Sequence, residues 1–128
     1  MEQKDSNYRC YFINNPYLSS IQQGIQAGHA HGRLLQKYKD TNCEKSNIAW
    51  DWNKNHETYI ILNGLNSENM KNFLHFLNEN DLKYPFSFFE EPFLDNALTS
   101  IAIVLPERIY NAKKYFSYHK NKKIFFLS

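Results

Sequence analysis

Cysteine is scarce and poorly placed for bridging chemistry. The chain has two in 128 residues, Cys10 and Cys43, with no CxxC and no metal-site spacing. Two thiols in a domain this long point to a reducing, cytoplasmic setting and a disulfide-free fold. Long apolar runs are missing too. None approaches the ~18 residues of a membrane-spanning helix, so no membrane partner is expected. The opening residues, MEQKDSNYRC, are polar and lack an apolar signal segment. There is no internal repeat and no low-complexity linker. Alanine is sparse, and glycine and proline number four each. Yet three of the four glycines, Gly24, Gly28 and Gly32, fall four residues apart in one stretch, SSIQQGIQAGHAHGRLLQKY.

What is present suffices for a core. The chain is 42% hydrophobic and 16% aromatic. That excludes disorder and suits one domain over residues 1–128. The net charge of +2 does not by itself announce nucleic acid. Its distribution says more: from Pro106 onward the chain carries about +5, and the rest about −3. This basic tail, from about residue 107, interleaves Lys113, Lys114, Lys120, Lys122 and Lys123 with Tyr110, Tyr115, Phe116, Tyr118, Phe125 and Phe126. Such a mixture can meet phosphates and stack on bases, or it can simply form a solvated face. Phe125, Phe126 and Leu127 want cover, which a homodimer would give.

Apolar patterning gives strands at Tyr8–Ile13, Thr58–Asn63, Phe86–Glu90 and Thr99–Leu105. It gives helices from Ser19 or Ser20 to Tyr38, from a Ser67 cap to Asn80, and from Glu107 to Tyr118. In the second helix Met70, Phe73, Leu74 and Leu77 form the stripe. Residues 40–56 read as a polar irregular segment, pinned to the body by Trp50 and Trp52. The order β-α-β-α-β-β-α argues for an α/β fold: a three-layer α/β/α domain around a four-stranded mixed, mostly parallel sheet.

Glycine inside a helix costs about 1 kcal/mol relative to alanine. At about 100° per residue, Ile21, Gly24, Ile25, Gly28, Gly32 and Leu35 share one smooth face. That face is expected to press backbone-close on the sheet. Gln22, Gln26, His29 and Arg33 stack on another face. They are either a solvent-facing side or a row of hydrogen-bonding groups for chemistry, with His29 able to act as base, acid or donor.

Other chemistries fit less well. His29 and His31 lie about 200° apart on a helix, so they cannot share a metal ion, and no metal or cofactor is expected. There is no P-loop, no GxGxxG and no GxSxG. Neither cysteine has an activating sequence context. The acidic turn Glu90-Glu91-Pro92-Phe93-Leu94-Asp95-Asn96 lies between two strands, where open α/β sheets gather ligands. It is either an ordinary polar turn or a place to hold a ribose or steer water.

Together these segments resemble the peptidyl-tRNA hydrolase II family, in a divergent bacterial and viral branch. Gln26-Ala27-Gly28-His29-Ala30 resembles its Q-x-x-H-A motif after strand one, and Gln22-Gln23-Gly24-Ile25-Gln26 resembles the branch's Q-Q-A-V-Q. Phe89-Glu90-Glu91-Pro92, followed by Asn96-Ala97-Leu98-Thr99-Ser100-Ile101-Ala102, resembles its F-x-E-P-D-x-x-N-x-L-T-x-I-A. The likeness spans Tyr8 to Pro106.

The resemblance implies metal-independent hydrolysis of the ester between a peptide and the tRNA 3′ end. By carry-over, His29 and Gln26 lie at the active site. Glu90 or Glu91 orients water, and Thr99 or Ser100 supplies a hydroxyl beside it. Gln22, Arg33, Asp95, Asn96 and Ser100 are the expected substrate contacts. Better-studied members carry a lysine where this chain has Gln22, and an aspartate where it has glutamate. The loss of that cation leaves open an alternative: a non-catalytic binder, virus-encoded, that sequesters a small nucleotide signal of the cyclic or ADP-ribose type. A third alternative is an RNA-binding accessory that relies on the tail.

Overall fold

The computed structural model describes residues 7–109 and Ala112. The helix expected at Glu107–Tyr118, the basic tail and the apolar C-terminus lie almost wholly outside them. Four strands, β1 (Tyr8–Asn14), β2 (Tyr59–Asn63), β3 (Phe86–Glu91) and β4 (Ala97–Pro106), form one sheet in the order β2-β1-β4-β3. Among the described residues three α-helices accompany it: α1 (Ser20–Tyr38), α2 (Glu44–Asp51) and α3 (Ser67–Glu79). The fold is α/β with a mixed sheet, as the patterning predicts. The sheet is less parallel than expected. Only β1–β2 is a parallel pair, while β4 runs antiparallel to both β1 and β3.

Strand alternation divides the core. Cys10, Phe12 and Asn14 stand level with Val104, Ala102 and Ser100, and Ser87 is level with Ala102. This row faces α1: the Ser87 hydroxyl donates to the Ala30 carbonyl at 2.7 Å. Tyr11 and Ile13 stand level with Ile103 and Ile101 on the opposite face. The β1-α1-β2 and β2-α3-β3 crossovers run in opposite directions along the sheet, so right-handed connections put α1 and α3 on opposite faces. The second face is the bulkier, and Met70, Phe73, Phe76 and Leu77 of α3 join its core.

The first helix is close to the sheet, but not through its glycines. Its buried residues are Gln26, Ala27, Ala30, Leu34 and Tyr38. Gly24, Gly28 and Gly32 are exposed, and a Cβ at any of them meets nothing within 4 Å. The expected smooth packing face is the solvent face, with Ile21 77% exposed. The close approach comes instead on the side of Ala27 and Ala30, both fully buried, where the Ser87 hydroxyl reaches the Ala30 carbonyl. Both faces of this helix are made of small and apolar residues, so smoothness alone does not fix its rotation.

Of the two caps expected, one holds and one moves. Ser19 caps α1, accepting from the Gln22 amide, and Asn66 rather than Ser67 caps α3, accepting from the Asn69 amide. The larger correction is residues 40–56. They hold α2, which ends in a π-helical turn (Trp52–His56) that leaves through Glu57 in the left-handed region, φ 55°. Trp52 is fully buried, whereas Trp50 stays partly exposed.

Gly64, after β2, is the glycine with no room. A Cβ there would lie 2.6 Å from Met70 Cγ and 2.9 Å from the Asn14 carbonyl oxygen. Gly64→Ala is therefore expected to lower stability by about 1–3 kcal/mol through overpacking. Urea denaturation should show an earlier midpoint; an unchanged midpoint would show that the contact relaxes freely.

Candidate functional site

The flank of α1 that faces β3 carries Gln22, Gln26, His29, Arg33 and Lys37 at three- and four-residue spacing, so they form one row. Opposite them the β3–β4 pairing breaks its register between Phe89 and Glu90, so that Thr99 has no partner across the ladder. A bulge re-aims side chains. Here strict alternation would send Thr99 to the α3 face. Instead its hydroxyl donates to Gln26 Oε1 at 2.7 Å, with the Phe89 carbonyl at 3.2 Å as a longer alternative.

That bond orients the Gln26 amide. With Oε1 accepting from Thr99, Nε2 points at Glu91 Oε1, 3.4 Å away. A chain thus runs from Thr99 through Gln26 to Glu91. Gln26 and Thr99 are fully buried, and Glu91 is half-buried, so the carboxylate is the end of the chain that meets solvent. Two choices left open in the sequence separate here. Glu91, not Glu90, joins Gln26; Glu90 is exposed and lines the neighbouring cleft. Thr99, not Ser100, joins Gln26. Ser100 is fully buried and its hydroxyl donates to Asn14 Oδ1 at 2.6 Å, so it offers a ligand nothing.

His29 is exposed and stacks on Phe89, with ring centroids 4.5 Å apart and 22° between planes. The Arg33 guanidinium lies 5.4 Å from the same ring. Phe89 thereby fixes both side chains, one helical turn apart. Lys37 Nζ donates to the Phe86 carbonyl at 2.9 Å, and burial, with help from nearby Lys45, lowers its pKa. Between α1 and β3 a cleft of about 510 Å³ opens, lined by Arg33, Gln36, Lys37, Phe89, Glu90 and Asn96 among others. Asp95 and Asn96 turn the hairpin with φ of 52° and 58°, a conformation their residue types favour. Asn96 reaches the cleft; Asp95 is not among its lining residues. Gln22 is exposed.

The other flank of α1 holds a cluster that the sequence did not reveal. His31 Nε2 donates to Asn53 Oδ1 at 2.7 Å, which leaves Nδ1 to accept from the Tyr59 hydroxyl. The His31 ring meets Trp52 edge-on at 4.8 Å. Burial pushes the Tyr59 pKa up to about 12, with further contributions from Cys10 and Glu57. His29 and His31 therefore serve opposite flanks.

The thiols diverge as well. Burial raises the Cys10 pKa, whereas a hydrogen bond with Ser46 lowers that of exposed Cys43 at the start of α2. The relevant Ser46 stands three residues on, a context that becomes visible only once the segment is known to be helical.

No group of three or more potential metal ligands occurs among the described residues. No helix there is long and apolar enough to cross a membrane. Neither a family model nor a curated protein matches the chain.

Proposed function

We propose that the Glu91 flank hydrolyses the ester between a peptide and the 3′ end of tRNA, acting in the cytoplasm. The Thr99–Gln26–Glu91 chain carries this reading. It joins the residues of two motifs that resemble the peptidyl-tRNA hydrolase II family and stand 65 and 73 positions apart.

In this scheme Glu91 accepts a proton from water as the water oxygen attacks the ester carbonyl carbon. The bond to the ribose 3′ oxygen breaks, that oxygen takes the proton held by Glu91, and the new carboxylic acid loses its own proton to solvent. The products are a free peptide carboxylate and a tRNA 3′ hydroxyl. Gln26 and Thr99, having no exposed surface, are positioning residues that hold the carboxylate. His29, held flat by Phe89, faces solvent beside it and can donate to the developing oxyanion. The scheme calls for no metal or cofactor.

The test is hydrolysis of a defined peptidyl-tRNA. Wild type should turn over, Glu91→Gln and His29→Ala should each fall about a hundredfold, and Gln26→Ala should fall with them. Absence of turnover by wild type overturns the reading.

One observation favours a second reading, in which the flank binds a nucleotide without cleaving it. Gln22 stands, exposed, where the family resemblance would put a cation. A non-catalytic binder would return its nucleotide intact and melt later in its presence. Ligand at 100 times its dissociation constant adds about 2.7 kcal/mol.

A further inference from the structure

We infer that the cleft between α1 and β3 is a phosphate subsite, with Arg33 as its recognition group. This rests on the reading that a nucleotide occupies the Glu91 flank, and it names which part of that nucleotide goes where.

Three observations carry it. First, Arg33 makes no ion pair and no hydrogen bond among the described residues, while its guanidinium is held over the Phe89 ring. Stacking restricts the side chain without consuming a donor, so five N–H groups remain for a ligand. Second, the charge of the cleft is lopsided. Arg33 and Lys37 face one lining acid, Glu90, and the remaining polar groups, Gln36, Ser87 and Asn96, are neutral. The Lys37 ammonium uses one donor on the Phe86 carbonyl and keeps two. Third, the cleft's ~510 Å³ falls in the range of small-ligand sites.

Position links it to the ester site. His29 and Arg33 share the Phe89 ring one turn apart, about 6 Å along the helix. A phosphate gripped at Arg33 therefore leaves the sugar of the same nucleotide facing His29 and Glu91. This supplies the missing cation from one turn beyond the motif histidine rather than from four residues before Gln26.

The experiment compares adenosine with ligands that add to it a phosphate alone or a phosphate bearing a second nucleoside. Adenosine, AMP and cytidylyl-adenosine are titrated calorimetrically into wild type, Arg33→Gln and, as a control on the exposed side of α3, Lys71→Gln. Wild type and Lys71→Gln should bind at least one phosphate-bearing ligand tenfold or more tightly than adenosine. Arg33→Gln should abolish that preference while leaving adenosine affinity within twofold and the melting temperature unchanged. Preference for AMP assigns a free nucleotide as ligand; preference for cytidylyl-adenosine assigns an RNA 3′ end. Equal binding of all three by wild type, a preference that survives in Arg33→Gln, or no binding of any of them overturns the subsite. The hydrolase reading is scored separately: turnover without phosphate preference removes only the subsite, and phosphate preference without turnover removes only the hydrolase.

Discussion

Trp52→Ala is expected to lower folding stability by about 3–5 kcal/mol. That would take a large share of the 5–15 kcal/mol typical of a domain. Trp52 is among the largest fully buried side chains. Its ring stacks on Tyr59 at 5.9 Å, lies 6.5 Å from Phe12 and meets His31 edge-on. Its indole N–H donates to the Thr58 carbonyl at 3.1 Å. The same residue organises the backbone, because its carbonyl accepts the Glu57 amide at 2.8 Å and closes the π turn. Alanine would keep that backbone bond but empty the space between α1, β1 and β2. Surrounding rings are held by their own contacts and can collapse only in part, so a cavity remains. Trp50→Ala is the comparison. That ring is 41% exposed and its hydrogen bond to the Tyr38 carbonyl is a long 3.4 Å, so a loss under about 1 kcal/mol is expected. Chemical denaturation of both variants checks the contrast, and a Trp52→Ala loss as small as that of Trp50→Ala would contradict this account of the core.

The contrast between the tryptophans also shows where sequence reading stops. The four strands announce themselves because apolar runs such as Tyr59–Leu62 and Ile101–Leu105 admit few alternatives. The eight residues of α2 do not. EKSNIAWD is barely two turns, its buried residues are Ser46, Ile48 and Ala49, and the Cys43 side chain makes no cap bond. Too short for periodicity to emerge, it forms because Trp52 anchors its far end. The site divides in the same way. Gln26, His29 and the acidic turn were legible as motif residues. The choice of Glu91 over Glu90 was not, because it needs the face of β3 known: Glu91 alternates with Ser87 and Phe89 onto the α1 side. Nor was the choice of Thr99, which a bulge sets. One unpaired residue in β4 lets Thr99 reach α1 beside Ser100, and no propensity marks that position. Helix rotation was the clearest failure: two candidate faces of α1 are small and apolar, and tertiary contacts, the Ser87 bond to the Ala30 carbonyl among them, decide between them.

That rotation makes the triple replacement Gly24→Ala, Gly28→Ala and Gly32→Ala a strong test. Had the glycines faced the sheet, three added methyl groups would have pushed α1 away and unfolded the domain. Facing solvent, they should stabilise it. Each position is mid-helix, none has a positive φ, and no atom lies within 4 Å of the added Cβ. Each alanine removes about 0.5–1 kcal/mol of unfavourable helix propensity, largely by narrowing the unfolded ensemble. Neighbours four apart are close enough to couple, so the sum is expected at about 2–3 kcal/mol rather than strictly three independent increments. For a chain of this length that is roughly 10 °C in melting temperature. Calorimetry on the triple variant and the three single variants measures both the total and its additivity. The sign is decisive: a fall in melting temperature would mean that another surface lies against this face. The hydrolysis assay on the same variant adds a second check. The glycine face points away from the Thr99–Gln26–Glu91 chain, so its rates should match wild type while its stability rises.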